Sequence, residues 1–277
     1  MYLPISGNDF LIDYQRFKVG YEHGSMVAKV TGYSEYLALK LFQEDGLPVP
    51  APITYVGNDV SCIFLFEEFM SGVELALNSP RKAWFETGIQ LANLHLKHWN
   101  PGKNDNTALL QYGSNLYEEK WMNIVRSNYF NQKWQKLIQK LAFRFHKAPQ
   151  VIGHGEAFPT NFLVHAGHIC FVDLANVGVI PYMSDIARLT SLPSLKGDAF
   201  LCPFKESVLD AYYQVIQQRL KLSKEDFSYD VTLASFIELA AIYVPQLILT
   251  PIPWLINARR SRLLSGCFVP WQMNCRE

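Results

Sequence analysis

The sequence predicts an α+β protein with two lobes, a small strand-rich N-terminal lobe and a larger, mainly helical C-terminal lobe. Strand-like runs cluster before Gly72, whereas helical patterns fill most of the chain after it. A short module of loops and strands, from His154 to Asp185, interrupts the helices. Strands that precede helices, without regular β-α alternation, favour segregated layers. We therefore expect lobes at residues 1–70 and 71–277, with a cleft between them.

The N-terminal lobe is expected to hold four strands and one helix. The runs FLIDYQRFKV and SMVAKV have strand composition and are separated by a hairpin at Gly20–Gly24. Ser34 opens an amphipathic helix that ends at Gly46. The runs LPVPAPITYV and SCIFLFEEFM predict two further strands, joined by a turn at Gly57–Asn58.

The C-terminal lobe is expected to be built from long helices. The helical patterns run over Arg81 to Trp99, Asn115 to His146, Lys205 to Leu222 and Thr232 to Leu249. The segment Val231 to Leu249, which contains the last of them, is nearly all apolar, but Glu238 and Pro245 interrupt it. Because a carboxylate in the middle of a lipid span is costly, this segment favours a buried helix over a membrane span.

Composition narrows the class of protein. Of the 277 residues, 49% are hydrophobic and 14% aromatic, which is typical of a compact globular protein. The 25 basic and 25 acidic residues balance, which argues against nucleic acid as a partner. The five cysteines form no C-x-x-C pair, so we expect no zinc site. Their odd number and the absence of a signal peptide favour a cytoplasmic protein.

The segment from His154 to Asp185 carries the clearest chemistry. Glu156 and Asn161 lie five residues apart, and Asp173 follows an apolar strand-like run. Phosphoryl transfer to a hydroxyl needs such a set, namely a carboxylate facing the acceptor, plus an amide and a second carboxylate holding Mg²⁺. An unpaired carboxylate after a buried strand is costly, whereas a metal-bound one is not. The alternative is a set of ordinary polar residues in a strand-loop-strand turn.

This segment resembles the signature of the aminoglycoside phosphotransferase family, which is related to choline kinases and more distantly to protein kinases. The signature has His-Gly-Asp, four residues, Asn, and then Asp after the next strand. The matching positions here are His154, Gly155, Glu156, Asn161 and Asp173. The resemblance implies a two-lobed protein kinase-like fold and transfer of phosphate from ATP. It also implies that Asn161 and Asp173 hold Mg²⁺ and that Glu156 orients or deprotonates the acceptor hydroxyl.

The resemblance extends to the N-terminal lobe. Lys29, in VAKV, stands where the family has a strand lysine that contacts the α- and β-phosphates. Glu35 is the candidate for the glutamate that pairs with this lysine. The segment Glu67–Gly72 resembles the connection between the lobes, whose backbone receives the adenine edge, and within it Glu68 is assigned to nucleotide binding. By itself, a strand lysine is usually a solvated edge residue.

Three further positions complete the resemblance. The sequence LANLH ends at His95 and is similar to a helix of the family. Asp185, in SDIARL, matches an aspartate that braces the catalytic loop, although it would also suit a helix N-cap. His154 is expected to brace this loop through backbone hydrogen bonds, not to act as a base.

Two departures from the family pattern leave two hypotheses open. The glycine-rich phosphate loop is absent in recognisable form, and only Gly7–Asn8 could stand for it. The first acid of the signature is Glu156 where the family has Asp, and misplacing a catalytic group by about 1 Å can cost about a hundredfold in rate. The first hypothesis is an ATP-dependent kinase of a small-molecule hydroxyl. The second is a pseudokinase that serves as a nucleotide-binding or scaffold module.

The acceptor is not defined by the sequence. In the family, the C-terminal helical part selects the substrate, and enzymes of polycationic aminoglycosides line it with carboxylates. The corresponding region, Phe204–Glu277, carries acidic residues but also the basic cluster Arg259, Arg260 and Arg262. An aminoglycoside, a sugar, an amino alcohol or a similar hydroxylated compound all remain candidates.

Overall fold

The N-terminal part of the chain forms one antiparallel sheet of five strands. The computed structural model describes residues 10–13, 16–21, 24–59, 62–100, 136, 139–140, 143–145, 147–191 and 202–249. The strands stand in the order β1-β2-β3-β5-β4. Their bounds are β1 Phe10–Asp13, β2 Arg16–Tyr21, β3 Gly24–Thr31, β4 Pro52–Asp59 and β5 Cys62–Glu68.

One helix, α1 (Tyr33–Glu44), connects β3 to β4 and packs on the sheet. Strand β5 alternates, so that Ile63 and Leu65 are buried while Phe64 is 57% exposed. Ile63 and Leu65 belong to the same hydrophobic core as Leu39 of α1. The sheet therefore has an inner face toward α1 and a solvent-exposed outer face.

Two predicted details of this sheet are wrong. The run FLIDYQRFKV forms two strands, because β1 and β2 pair with each other antiparallel, with Asp13 opposite Arg16. The composition predicted one strand because the chain reversal within this run carries no glycine or proline. The predicted turn at Gly57–Asn58 lies inside β4, where the pairing with β5 is irregular between Val56 and Asp59. Glycine there accompanies a bulge and not a chain reversal.

The predicted module of loops and short strands is present between the helices. It contains two small antiparallel sheets, β6-β8-β9 and β7-β10. The bounds are β6 Val73–Glu74, β7 Gln150–Gly153, β8 Phe162–His165, β9 His168–Phe171 and β10 Gly178–Pro181. A short 3-10 helix, Pro159–Asn161, leads into β8.

The described residues contain four further helices, of which α2 packs on the module. They are α2 Arg81–Lys97, α3 Met183–Ser191, α4 Lys205–Leu220 and α5 Lys224–Leu249. Helix α2 packs against α4, and α3 packs against α5. Helix α5 begins earlier than the predicted Thr232, because Ser223 caps a polar first turn by accepting the N–H of Asp226 at 3.1 Å. No helix among residues 24–100, 147–191 and 202–249 has the length and apolarity that a membrane span needs.

Several sequence predictions lie outside the described residues. They concern the phosphate loop at Gly7–Asn8, the aromatic residues between Trp121 and Trp134, and the basic cluster Arg259, Arg260 and Arg262. Most of the predicted helix Asn115–His146 also lies outside, although residues 143–145 are helical.

Candidate active site

The loop that follows β7 is held by a buried carboxylate from helix α3. Asp185 is fully buried and accepts the backbone N–H groups of His154 at 2.6 Å and Gly155 at 3.0 Å. Nε2 of the buried His95, on α2, lies 3.2 Å from the same carboxylate. Asp185 stands in the first turn of α3, and its oxygens serve the loop. The bracing role expected from the resemblance is therefore present, and the N-cap alternative is not needed.

The charge environment of Asp185 keeps it ionised. Burial alone would raise the pKa of this carboxyl, but the hydrogen bond and the charge of His95 outweigh burial and lower the pKa below its ordinary value. An ionised carboxylate is the stronger acceptor for two backbone donors. The loop is thus fixed by charge-assisted bonds at its first two residues.

Gly155 is required by the shape of this loop. Its φ of +79° lies in the left-handed region, which L side chains rarely adopt. A Cβ at this position would lie 1.8 Å from the carbonyl oxygen of Asn176. The backbone after β7 therefore touches the backbone after β9, and only glycine permits this approach.

His154 joins the same two loops through its side chain. Its Nε2 lies 3.1 Å from the carbonyl oxygen of Val172, and its Nδ1 accepts the N–H of Glu156 at 3.3 Å. The two bonds together require the proton on Nε2. His154 is thus a bracing residue, as its sequence context predicted.

The side chain of Asn161 is oriented by a hydrogen bond to Glu156, the other predicted site residue of this loop. Its Nδ2 donates to the backbone carbonyl of Glu156 at 2.8 Å, which directs its Oδ1 away from that carbonyl. Its own carbonyl accepts the N–H of Val172 at 3.0 Å. Asn161 therefore lies beside the residue that precedes Asp173.

Asp173 has a strained backbone, with φ of +61°. Non-glycine residues in the left-handed region are uncommon and cluster at functional sites, where the surrounding structure holds them. The two residues beside Asp173 are held by hydrogen bonds: the N–H of Val172 donates to Asn161 O, and the N–H of Leu174 donates to Glu35 Oε1. The conformation of Asp173 is therefore fixed from both directions along the chain.

Lys29 and Glu35 form the ion pair that the resemblance implies. Lys29 Nζ lies 2.6 Å from Glu35 Oε1, and both side chains are buried. The same Glu35 oxygen accepts the N–H of Leu174 at 2.9 Å. One carboxylate therefore connects the strand lysine to the residue directly after Asp173.

Glu67, to which the family resemblance gives no role, is the second carboxylate on Lys29. Its Oε1 lies 3.1 Å from Lys29 Nζ, and the side chain is buried. Burial and the charge of Glu35 raise the pKa of Glu67 to about 7, against the opposing charge of Lys29. Burial would lower the pKa of Lys29, but Glu35 and Glu67 outweigh burial and raise it above its ordinary value. Lys29 is therefore cationic at neutral pH.

The alternation of β5 could have revealed Glu67. Glu67 pairs with Val27, and Leu65 pairs with Lys29, so these four side chains share the inner face of the sheet. Glu68 belongs to the opposite face and is exposed. Its carboxylate lies 3.5 Å from the N–H of Ala51. The assignment of Glu68 to the nucleotide stays a prediction that concerns the lobe connection.

The geometry joins the predicted residues in two groups. Lys29, on the inner face of the sheet, and Glu35, on α1, form one group, and Glu156 and Asn161 form the other on the loop after β7. Asp173 connects the two groups through its neighbours in sequence: Val172 is hydrogen-bonded to Asn161, and Leu174 is hydrogen-bonded to Glu35. The arrangement offers a fixed cation, an oriented amide oxygen and two carboxylates, which is the set that phosphoryl transfer requires.

Solved structures with the same fold were found by comparison. An ethanolamine kinase of Plasmodium vivax is 14% identical, with a TM-score of 0.62 over 91% of this chain and 78% of that chain. An amicoumacin kinase in complex with AMP-PNP, Ca²⁺ and Ami is 14% identical, with a TM-score of 0.61 over 88% of this chain and 81% of that chain. An aminoglycoside 2'-phosphotransferase-IIIa in its GDP complex is 10% identical, with a TM-score of 0.60 over 91% and 89%. The protein kinase-like fold is thus confirmed.

The sequence itself matches one family model. No curated protein matches the chain at a significant level. The model described as "Phosphotransferase enzyme family" matches residues 13–217, which include all the residues described above as the candidate site. Neither this match nor the structural neighbours support the pseudokinase alternative. The chain belongs to the phosphotransferase enzyme family.

Proposed function

We propose that this protein transfers the γ-phosphoryl group of ATP to a hydroxyl of a small molecule. The observation that carries the proposal is the connection from Lys29 through Glu35 to Leu174, with distances of 2.6 and 2.9 Å. It joins a cation suited to phosphates to the backbone that holds Asp173. Transfer of a phosphoryl group depends on this kind of positioning and charge stabilisation.

In this proposal Lys29 binds the α- and β-phosphates of ATP. The ammonium group has three N–H donors. Glu35 and Glu67 engage two of them, at 2.6 and 3.1 Å, and a third remains for a phosphate oxygen. Glu35 positions Lys29 and keeps it beside Asp173.

Asn161 and Asp173 are proposed to hold Mg²⁺ on the phosphates. The Asn161 amide, whose Nδ2 is engaged by Glu156, presents its oxygen, and Asp173 adds a carboxylate. Oxygen ligands suit Mg²⁺, which uses few protein ligands together with phosphates and water. The ion would neutralise charge on the transferring phosphate.

Glu156 is proposed to face the acceptor hydroxyl and to orient or deprotonate it. Its side chain is half-buried, and its backbone is fixed by His154 and Asn161. Glutamate reaches about one carbon–carbon bond further than the aspartate of the family pattern. Because the loop backbone is held on both sides, the position of this carboxylate is set by the loop and not by a flexible segment.

The nucleotide base is proposed to bind along the lobe connection. The N–H of Glu68 is bonded to Ala51 O at 2.9 Å and the N–H of Phe69 to Ser25 O at 3.2 Å, so the adenine edge is expected to meet the backbone beyond Phe69. We propose that the boundary between the lobes lies near residue 70. The cysteine pattern supports a cytoplasmic location.

The acceptor is proposed to be neutral or weakly charged. Three acidic residues of the C-terminal helices are each paired within the chain, Asp210 with Lys224 at 2.7 Å, Asp230 with Arg144 at 2.6 Å and Glu238 with Arg188 at 2.9 Å. These pairings do not favour a surface built for a polycation. The related structures carry names of kinases for ethanolamine, amicoumacin and aminoglycosides, so amino alcohols and sugar hydroxyls form the first test panel.

Nucleotide binding and transfer can be tested separately. Mg²⁺-ATP should raise the melting temperature of the wild type through ligand linkage. Asp173→Asn preserves the side-chain volume, and asparagine also tolerates positive φ. This variant should lose the Mg²⁺-dependent part of the shift in melting temperature. Consumption of ATP should then be measured against the panel of hydroxylated compounds. No shift with millimolar Mg²⁺-ATP in a folded preparation would contradict the proposal.

A further inference from the structure

Lys29 lies between two buried carboxylates that differ in their other bonds. Glu35 Oε1 lies 2.6 Å from Lys29 Nζ and also accepts the N–H of Leu174 at 2.9 Å. Glu67 Oε1 lies at the longer distance of 3.1 Å from Lys29 Nζ. The second oxygen, Oε2, is buried with no hydrogen-bond partner among the described residues in both glutamates, so the difference between them is the closer lysine and the Leu174 N–H on Glu35. Glu67 is therefore the carboxylate whose negative charge is less well stabilised.

The charges in this cluster do not balance. One lysine faces two carboxylates, which leaves a net negative charge in a buried position when both are ionised. Asp173 adds its charge to the field at Glu67, while Cys170 is a neutral neighbour whose pKa burial and then Glu67 raise to about 12. Buried charge without a counter-charge is costly, and two carboxylates at one site disfavour double ionisation.

We propose that Glu67 takes up a proton from solvent when a nucleotide binds, so that nucleotide affinity at this site is coupled to protonation of Glu67. The inference rests on the proposed function, since it assumes that phosphates bind at Lys29. The phosphates bring negative charge, which Mg²⁺ neutralises only in part, into the field of a carboxylate whose Oε2 has no hydrogen-bond donor among the described residues. Protonation removes the repulsion, and no covalent bond other than the new O–H forms or breaks.

The bonding around Lys29 accommodates this change. A protonated Glu67 keeps one carbonyl oxygen, which still accepts from Lys29, and its hydroxyl becomes a donor. Lys29 therefore keeps its orientation while one opposing charge disappears. The pKa of Glu67, raised by burial and by Glu35 to about 7, places the titration within the neutral range. Phosphate binding would raise it further, so the net proton uptake is expected near and above pH 7.

The sign of the pH effect follows from this linkage. Uptake of a proton on binding makes nucleotide affinity rise as pH falls, by at most about tenfold per pH unit. Above pH 7, Glu67 is ionised in the free protein and must be neutralised on binding. Below this range it is already neutral, and the contribution of Glu67 levels off.

The coupling can be measured by titration calorimetry with Mg²⁺-ADP at pH 6, 7 and 8. At each pH, two buffers of different ionisation enthalpy give the number of protons taken up on binding. Glu67→Gln keeps the shape and the acceptor for Lys29 but cannot titrate. This variant is expected to bind Mg²⁺-ADP more tightly than the wild type at pH 8. It should also take up fewer protons on binding. The nucleotide's own titration is the same in both proteins, so the difference in uptake reports Glu67.

Two further variants make the result decisive. Glu74→Gln removes an exposed carboxylate on β6 and should keep the wild-type pH profile. Glu67→Met provides an apolar replacement of similar length if Glu67→Gln does not fold, and it should also lose the extra uptake. Equal proton uptake in the wild type and in a folded Glu67 variant would overturn the inference while leaving nucleotide binding intact. Absence of binding by the wild type at every pH would instead overturn the proposed function, and the inference with it.

Discussion

A single oxygen of Glu35 is bonded both to Lys29 Nζ, at 2.6 Å, and to the backbone N–H of Leu174, at 2.9 Å. The lysine lies on β3 and Leu174 follows β9, so the bond links strands that are far apart in sequence. Because Leu174 is the neighbour of Asp173, the position of Lys29 is tied to that of the proposed metal ligand.

Substitution of Glu35 should remove the link between Lys29 and the backbone at Leu174. Glu35→Ala removes a buried, charge-assisted acceptor and leaves Lys29 with Glu67 alone. Hydrogen bonds to charged groups contribute about 1.5–3 kcal/mol, so kcat/KM for ATP should fall at least about tenfold. Steady-state kinetics with an acceptor from the panel measures the effect. Glu44→Gln, at an exposed position of the same helix, is the control and should match the wild type; a Glu35 variant equal to it would show that the bridge has no role in binding ATP.

Glu156 should affect turnover more than nucleotide affinity. Glu156→Gln removes the charge at nearly constant shape and should lower kcat by about a hundredfold or more, while the Kd for Mg²⁺-ADP stays near the wild-type value. Glu156→Asp tests the extra length of the side chain. If the loop is adjusted to glutamate, the aspartate falls short and kcat drops. A gain in kcat would mean instead that glutamate is the poorer residue at this position.

Gly155 should tolerate no side chain, and Gly167 provides its matched control. Both have positive φ, +79° and +83°, but a Cβ at Gly155 would lie 1.8 Å from Asn176 O whereas a Cβ at Gly167 meets nothing within 4 Å. Gly167→Ala should therefore cost only the backbone strain, about 1–2 kcal/mol. Gly155→Ala should lower the free energy of unfolding by clearly more than this. It should also abolish turnover, since relief of the clash with Asn176 moves the backbone next to Glu156. Chemical denaturation and activity measure both, and equal costs would contradict the close approach of the two loops.

Asp185 should contribute stability with a defined pH dependence. Because His95 lowers the pKa of this buried carboxyl in the folded protein, its contribution is complete above the ordinary pKa of about 4 and is lost as pH falls through the lower folded value. Asp185→Asn should cost about 2–4 kcal/mol at pH 7, since two backbone donors lose a charged acceptor. The difference from the wild type should narrow below about pH 4. Asp210→Asn, which removes half of an exposed ion pair, should leave the free energy of unfolding close to that of the wild type at either pH.

The sequence predicted the parts of the candidate site that are local in the chain. Glu156, Asn161 and Asp173 stand at short spacings in one module, and the spacing of Lys29 and Glu35 suits a strand followed by a helix. The bracing bonds of Asp185 agree with the resemblance, but their geometry depends on how α3 packs against the loop, which no spacing reveals.

Other features required the three-dimensional pairing. Glu67 and Glu68 are adjacent and chemically identical, and only the register of β5 places one beside Lys29 and the other at the exposed face. The reversal between β1 and β2 carries no glycine or proline, so composition favoured one long strand. The glycine at position 57 predicted a turn where the pairing has an irregularity, since glycine is used in both settings.

The bond from Glu35 to Leu174 also has a consequence for how tightly ATP is held. The groups proposed to receive the phosphates are already joined in the free chain, so the entropy of ordering them is lost during folding and not during association. Thermal stability and nucleotide affinity then depend on the same few bonds. Substitutions that loosen this junction should weaken affinity well before they unfold the protein, whereas destabilising changes on the distant outer face of the sheet should leave affinity unchanged.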